Sequence, residues 1–250
     1  MSFTFQPKSN GDKNKLVATI KKKSGKNANI YIDLTPKLLN PVLEVESKED
    51  KIIPLIDTTL RSVLYVAGPS GSGKSWFVNK WLNNALTFYK HQPLFFFSPV
   101  EEDPSLEGLP LVKADMEAIQ DLADLTLDDL KDSFVIFDDC ETIADKTLLK
   151  VLNNLRDIIL ERGRHTDTKL VITSHLITNY KETRRVLNEA TAIVVYPKSA
   201  GKNNIRKYLS NYMGFSKEQI EKIFNVEDRW IFISKTYPIY CLTESKLFIP

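Results

Sequence analysis

A glycine-rich octapeptide that ends in lysine and serine carries the strongest chemical signal in this 250-residue sequence. The peptide GPSGSGKS, residues 68–75, matches the Walker A pattern G-x-x-x-x-G-K-[ST] in full. Glycines let a backbone wrap around an anion, and the start of a following helix adds a positive dipole. The peptide therefore predicts a phosphate cradle in which Lys74 reaches the β- and γ-phosphates of ATP and Ser75 ligates Mg²⁺. The predicted nucleotide-binding residues are Gly68, Pro69, Ser70, Gly71, Ser72, Gly73, Lys74, Ser75 and Trp76.

An apolar segment that ends in two aspartates supplies the acidic groups that a nucleotide hydrolase needs. The segment VIFDDCE, residues 135–141, predicts a strand that carries Asp138 to its carboxyl end. Successive strand residues point to opposite faces, so we expect the two aspartates to have different tasks. We assign Asp138 to Mg²⁺ and Asp139 to the attacking water, with Glu141 as the substitute for Asp139.

Apolar segments that alternate with amphipathic ones must position these residues. An uninterrupted apolar run is typical of a strand buried on both faces in a parallel sheet. The five strand candidates are residues 62–67, 94–99, 134–139, 169–174 and 191–196. Their alternation with helices predicts an α/β fold with a mostly parallel central sheet and helices on both faces.

Two of the intervening segments have helical spacing. Residues 74–90 place Phe77, Trp81, Ala85 and Phe88 along one stripe. We expect Trp76 to pack in the core with Trp81 rather than to stack on bases. The second helix, residues 147–163, should be closed by Gly163.

The two ends of the chain have a different pattern from the middle. Residues 15–33 predict an N-terminal β-hairpin around a Ser-Gly-Lys-Asn turn. After residue 200, two short helices joined at Gly214 precede a closing hairpin. We therefore predict three regions: an N-terminal β extension (1–55), an ATPase core (56–200) and a C-terminal helical and hairpin subregion packed on the core (201–250).

Composition narrows the location and the class of partner. No apolar run approaches the ~20 residues that span a bilayer, and the N-terminus lacks a secretory signal. Two cysteines cannot build a disulfide framework, so we expect an intracellular, reduced protein without a membrane partner. The net charge of +2 hides an acidic stretch at 101–145 between two basic regions. The two basic regions either bind a polyanion or form solvated faces.

Several other phosphate-loop classes lack their usual signatures here. Guanylate kinases share this loop, but the segment EEDPSLEGLP after the second strand candidate has none of the arginines of their acceptor lid. A GTPase would carry N-K-x-D, and a transporter ATPase an LSGGQ-like signature; neither occurs. A kinase of the guanylate type stays open as the weakest alternative.

The later part of the chain carries motifs that distinguish between classes of phosphate-loop protein better than the loop itself does. Residues 160–179, LERGRHTDTKLVITSHLITN, place Gly-Arg-His before the fourth strand candidate and Ser-His at its end. The chain resembles the FtsK–HerA superfamily of ring-forming DNA motors, and within it the packaging ATPases of large DNA viruses and virophages. The resemblance spans about residues 60–240. It is carried by GPSGSGKS, FSPVEED, IFDD, ERGRH, TSH and TRRVLNEATAIVVYP in that order.

The resemblance implies a RecA-like P-loop NTPase fold and a homo-oligomeric ring, pentamer or hexamer. Such a ring would move double-stranded DNA into a preformed capsid in the host cell cytoplasm, at the virus assembly site or in the virion, with a capsid or vertex protein as partner. A neighbouring subunit would supply an arginine finger, Arg164 first and Arg162 second; the alternative is that both cap the preceding helix. His175 stands where the superfamily often has a glutamine sensor, with Ser174 as the other polar candidate. A structural histidine is an equal alternative.

DNA grip without sequence preference requires lysine and arginine contacts to phosphates. The candidates are the cluster KKKSGK (21–26) with Lys198, Lys202, Arg206 and Lys207. The alternative for these residues is a solvated surface. The acidic stretch would lie away from the DNA or face a capsid partner. A nucleotide-dependent assembly scaffold is the alternative function.

Overall fold

The computed structural model describes residues 2–5, 14–34, 42–45, 47, 49–179, 183–199 and 201–250. The chain forms two compact units. The core unit is Thr58–Thr191, and the flanking unit combines Met1–Asp57 with Ala192–Pro250. The three-region division with limits at residues 55 and 200 remains a prediction.

The described residues form short strands and six α-helices. The strands are β1 (Ser2–Thr4), β2 (Asn14–Lys21), β3 (Ala28–Asp33), β4 (Val42–Glu44), β5 (Lys51–Pro54), β6 (Val63–Ala67), β7 (Leu94–Phe97), β8 (Leu111–Lys113), β9 (Phe134–Phe137), β10 (Lys169–Ser174), β11 (Ala192–Val195), β12 (Ile231–Ser234), β13 (Tyr240–Leu242) and β14 (Lys246–Phe248). The helices are α1 (Lys74–Ala85), α2 (Ile119–Asp124), α3 (Lys146–Arg162), α4 (Arg184–Glu189), α5 (Lys202–Asn211) and α6 (Lys217–Phe224).

The core unit is built on parallel strands in the order β6-β10-β9-β7-β8. Every residue of β6, β9 and β10 is buried, which explains why these strands are continuous apolar runs. The four strands predicted in this unit are confirmed. The short β8 was not predicted, because it has only three residues, none of them buried.

Helix α1 starts at the phosphate loop and is shorter than its apolar stripe suggested. It ends at Ala85, so Phe88 lies beyond the helix and is 46% exposed. Trp81 is buried, but Trp76 is 46% exposed, and its predicted core position is wrong. Five residues on a helix correspond to about 140° around the axis, so Trp76 and Trp81 cannot share one buried stripe.

Helix α3 leads towards the Gly-Arg-His turn. The Asp145 side chain caps its start by accepting from the amides of Thr147 and Leu148, at 2.7 and 3.1 Å. The helix ends at Arg162, and a 3-10 turn, Gly163–His165, follows. Gly163 is at the predicted end, but with a φ of −58° it keeps a right-handed backbone. A left-handed cap is therefore not the reason for this glycine.

The flanking unit contains the predicted N-terminal hairpin, since β2 and β3 pair antiparallel. Strands β1 and β5 extend it into a four-stranded sheet. The predicted closing hairpin is a three-stranded ladder, β12-β13-β14, with β11 and β4 added antiparallel at its ends. Gly214, with a φ of +68°, joins α5 to α6 as predicted.

No α-helix among the described residues has the length and apolar content to cross a lipid bilayer.

Candidate active site

The polar residues of the predicted phosphate and metal site follow strands of the core unit at the edge of the sheet where these strands end. Ser174 at the end of β10 is paired with Ala67 at the end of β6. Phe137 at the end of β9 is paired with Phe97 of β7. Because the strands are parallel, the residues after each strand meet at the same edge, where α/β proteins bind ligands.

The phosphate loop has the backbone shape that the glycine pattern predicted. Gly71 and Gly73 have φ angles of +72° and +101°, which side chains with a Cβ rarely adopt. The Gly68 amide donates to the Ser174 carbonyl at 2.9 Å, which ties the loop to β10. Ser72 is 2% exposed, and among the described residues its hydroxyl has no hydrogen-bond partner. A loop with an unpaired buried hydroxyl next to a helix start fits a phosphate ligand.

Lys74 lies at the base of this loop and is almost fully buried. Its Nζ donates to the Gly68 carbonyl at 3.1 Å and is 3.1 Å from Asp139 Oδ2. The side chain is only 6% exposed. The lysine is therefore directed towards the anion site by one carbonyl and one carboxylate.

Asp138 is buried beside this ion pair. Its carboxylate accepts from Ser98 Oγ at 3.1 Å and from Thr173 Oγ1 at 2.8 Å. Burial raises the pKa of Asp138, opposed by the Thr173 hydrogen bond and reinforced by the charge of Asp139. Such a group gains from a cation that would stabilise its ionised form.

Asp139 is held differently. Strand β9 ends at Phe137, and Asp139 has a left-handed φ of +43°. The two aspartates thus have different surroundings, as expected, but a turn rather than strand alternation separates them. Asp139 Oδ2 contacts both Lys74 and His175, whose Nε2 lies 3.0 Å away.

Glu141 and His175 complete this group. Glu141 is exposed, and its Oε1 accepts from the His175 backbone amide at 2.7 Å. The His175 imidazole lies against Asp139. The structure thus brings Lys74, Asp139, Glu141 and His175 together. Which carboxylate positions water, and whether His175 is a sensor, remain predictions.

Asp103 is a further candidate site residue, which the sequence motifs did not predict. It follows β7 and caps a 3-10 turn, Pro104–Leu106, by accepting from the Ser105 amide at 2.8 Å. The Ser75 hydroxyl is also close enough to this carboxylate to lower its pKa. Burial raises the pKa of Asp103, but the hydrogen bonds from Ser75 and Ser105 outweigh it and leave the pKa lowered. The Asp-Pro-Ser capping pattern could have marked it among three adjacent acids.

A magnesium ion fits this group of residues only together with a nucleotide. In the described ranges, no three His, Cys, Asp or Glu side chains are placed to hold a metal by themselves. Mg²⁺ typically takes one or two protein carboxylates with substrate phosphates and water. Ser75, Asp138 and Asp103 offer such partial coordination beside the phosphate loop.

The candidate finger arginines lie away from this site. Arg162 and Arg164 precede β10, whereas Ser174 ends it, and a six-residue strand spans about 20 Å. Both arginines are exposed, and within the described part of the chain neither pairs with a carboxylate. Arg61 binds the carbonyls at the end of α3 instead. The geometry therefore does not bring either arginine to Lys74 of the same chain.

Comparison with known proteins identifies the family. Protein V3 of the Sputnik virophage is 34% identical over 205 residues, which cover 81% of this chain and 82% of V3. The chain belongs to the V3 family. No model of a broader protein family matches it.

Solved structures show how this V3-family fold relates to others. The genome packaging NTPase B204 from Sulfolobus turreted icosahedral virus 2, solved with sulfate, superposes with a TM-score of 0.52 at 15% identity, over 74% of this chain and 96% of B204. The pCW3 conjugation coupling protein TcpA, solved with ATPγS, gives 0.54 at 14% identity, over 95% of this chain and 77% of TcpA. At these identities the likeness shows the fold. The predicted α/β fold of the P-loop NTPase class is confirmed, and in fold the chain resembles a viral genome packaging NTPase.

Proposed function

We propose that this V3-family protein is an ATP-driven translocase that packages double-stranded DNA of a virus into a preformed capsid. The observation that carries the proposal is the group of Lys74, Asp138 and Asp139 around a phosphate loop at one sheet edge. The relatives support it: V3 belongs to a virophage, B204 is a genome packaging NTPase, and TcpA was solved with ATPγS.

ATP phosphates would be bound by the loop and by Lys74. The γ-phosphate would compete with Asp139 for the positive charge of Lys74, because two like-charged anions would lie beside the same Nζ. Asp139 is then free to accept a hydrogen bond from water, while His175 keeps its carboxylate oriented. Mg²⁺, held by Ser75 and Asp138, would neutralise charge on the β- and γ-phosphate oxygens.

A ring, pentameric or hexameric, would complete each site. Arg164 of one subunit would stabilise charge on the phosphoryl group bound by the next, a contribution of ~10³–10⁵ in rate. The placement of Arg162 and Arg164 far from Lys74 of their own chain supports a role in trans. The ring would work in the host cell cytoplasm, at the site of virus assembly, against a capsid or vertex protein.

DNA contacts would come from exposed cations of the flanking unit. Lys23 and Arg206 form exposed ion pairs with Glu49 and Glu221, which weakens their claim to DNA phosphates. Lys198 donates to the Glu227 carbonyl. Among the predicted DNA-contact residues, those that are exposed and form no carboxylate pair within the described residues are Lys21, Lys22, Lys26, Lys202 and Lys207.

The test is the ATPase rate of the purified protein against added duplex DNA, with the oligomer mass recorded alongside. We expect assembly into a ring, stimulation by duplex DNA, and loss of hydrolysis in Lys74→Ala and Asp138→Ala. An equal rate with and without DNA at every concentration that permits assembly contradicts the proposal. ATP-dependent assembly without turnover would identify a scaffold instead. Phosphate transfer to a nucleoside monophosphate would identify a kinase.

A further inference from the structure

Arg61 joins the two ends of the segment that carries the finger candidates. Its Nη2 and Nη1 donate to the carbonyls of Ile159 and Leu160, at 2.7 and 3.2 Å. Its Nε donates to the Thr168 carbonyl at 2.6 Å. The first two acceptors belong to the last turn of α3, and the third directly precedes β10. One planar guanidinium therefore connects the end of α3 to the residue before β10, on either side of the Gly163–His165 turn.

Gly163 is fitted to this guanidinium. A Cβ at position 163 would lie 2.8 Å from Arg61 Nη2, closer than real Cβ contacts, and 3.0 Å from Arg61 Cζ, which is tighter than most of them. The backbone of Gly163 is right-handed and suits any residue, so space rather than φ explains the glycine. The Gly163 carbonyl accepts from the amides of Thr166 and Thr168, which closes the turn. Arg61 is therefore held by three carbonyl acceptors and by its close contact with Gly163.

This arrangement leaves the finger candidates without a capping task. Two carbonyls of the final helical turn are already bound by Arg61, and the amide of Gly163 donates to the Ile159 carbonyl. Arg162 and Arg164 consequently extend from the turn as exposed cations. Burial lowers the pKa of Arg61 to about 10, against the opposing charges of Glu189 and Asp167, so the group is still charged at neutral pH.

We propose that Arg61 is a positioning residue that holds the Gly163–His165 turn in the geometry that presents Arg164 to the active site of the neighbouring subunit. The inference rests on the proposed function, in which a second copy of this chain completes each site. A lysine cannot replace Arg61, because one ammonium lacks the planar fork that reaches three carbonyls. A finger displaced by about 1 Å can lose ~10²-fold in rate.

Subunit mixing separates a positioning role from a purely structural one. A Lys74→Ala subunit has no phosphate lysine but keeps its finger, and an Arg164→Ala subunit has the converse defect. In a mixed ring, the sites of Arg164→Ala subunits that face Lys74→Ala neighbours should regain activity. Arg61→Lys alone should lose about 10- to 100-fold in kcat with a near-normal KM for ATP. Mixed with Lys74→Ala subunits, which keep a correctly placed finger, Arg61→Lys subunits should regain activity. Mixed with Arg164→Ala subunits, which have no finger, they should gain none.

The controls keep the outcomes distinct. Arg185→Lys is the matched variant, because the ion pairs of Arg185 within the described residues are with Asp157 and Glu161 on α3, before the turn. It should keep the wild-type rate. If Arg61→Lys unfolds at the assay temperature, Gly163→Ala is tested in the same mixtures instead. Its Cβ would displace the Arg61 guanidinium, so it should give the same pattern of loss and recovery.

Two results would overturn the inference in different ways. In the first, the mixture of Lys74→Ala and Arg164→Ala subunits regains activity but Arg61→Lys keeps the wild-type kcat. This result refutes the positioning role of Arg61 and leaves the finger in trans in place. Failure of that first mixture to regain any activity removes the finger in trans, and Arg61 as its positioning residue falls with it. DNA-stimulated hydrolysis by the wild-type ring would still stand as a separate result.

Discussion

Lys74 and Asp139 form an ion pair in which Nζ and Oδ2 are 3.1 Å apart, with the lysine only 6% exposed. His175 Nε2 lies 3.0 Å from the same carboxylate oxygen. The carboxylate therefore lies between the cation that would bind the γ-phosphate and an imidazole. Nucleotide binding and the position of Asp139 should be coupled, because the γ-phosphate and the Asp139 carboxylate carry like charges beside the same Nζ.

Asp139→Asn should separate nucleotide binding from hydrolysis. The amide keeps the shape of the side chain and removes the charge that competes for Lys74, so ATP should bind at least as tightly as in the wild type. Hydrolysis should fall by about 10²–10⁴, the usual contribution of a positioned base. Filter binding of ATP and release of inorganic phosphate measure the two effects.

The matched variant for this test is Lys74→Ala, which should lose both binding and hydrolysis because it removes the phosphate cation. A motor with Asp139→Asn should stall with ATP bound. If Asp139→Asn instead supports normal turnover, Asp139 does not act on water and Glu141 becomes the candidate. Normal capsid assembly by a variant that cannot hydrolyse ATP would favour the scaffold.

Asp103→Asn should weaken the dependence of the ATPase on magnesium. The hydroxyl of Ser75, the predicted metal ligand, interacts with the Asp103 carboxylate and lowers its pKa, and the carboxylate is ionised at neutral pH. Loss of this charge should raise the Mg²⁺ concentration needed for half-maximal activity about 10-fold, as expected for a residue that supports a metal ligand. Titration of the ATPase rate with Mg²⁺ measures it. Glu102→Gln, an exposed neighbour, is the control and should leave the curve in place.

The sequence predicted the parts of this site whose chemistry is local. Lys74, Ser75 and Asp138 follow directly from a strand, a turn and a helix start, which are encoded by adjacent residues. Arg61 could not be found this way, since its partners are 98, 99 and 107 residues distant in sequence. A single arginine before a strand looks like a surface residue until the chain is folded.

Asp103 marks an intermediate case. Residues 101–103 are three consecutive acids, and each could place a carboxylate near Ser75. Only the path of the loop decides that Asp103 is the one that does. The proline and serine after Asp103 predict a capped turn, so a local signal existed. Its contact with α1 is a tertiary contact that no spacing rule encodes.

The two site aspartates should respond to pH with opposite signs in the absence of nucleotide and metal. The pKa of Asp138 is raised above its ordinary 3.8, so ionisation destabilises the fold, and stability should fall as the pH rises from about 3.8 through the raised value. The pKa of Asp103 is lowered, so its stabilisation is present above 3.8 and lost as the pH falls through the lowered value. Asp138→Asn should therefore unfold at a higher urea concentration than the wild type at pH 7, and Asp103→Asn at a lower one. Destabilisation by Asp138→Asn at pH 7 would show that the hydrogen bonds from Ser98 and Thr173 outweigh burial.

The two tryptophans of α1 provide the sharpest test of how the core unit is packed. Trp81 is 2% exposed and meets the Phe134 ring edge-to-face, with centroids 6.3 Å apart, whereas Trp76 is 46% exposed under Lys80. Trp81→Ala should cost about 3–5 kcal/mol of unfolding free energy, because it opens a cavity beneath the sheet. Trp76→Ala should cost about 1 kcal/mol or less, the range of an exposed cation–π contact. Urea unfolding followed by circular dichroism compares them. Equal losses in the two variants would contradict the exposed position of Trp76, and a raised KM for ATP in Trp76→Ala without loss of stability would confirm its predicted contact with nucleotide.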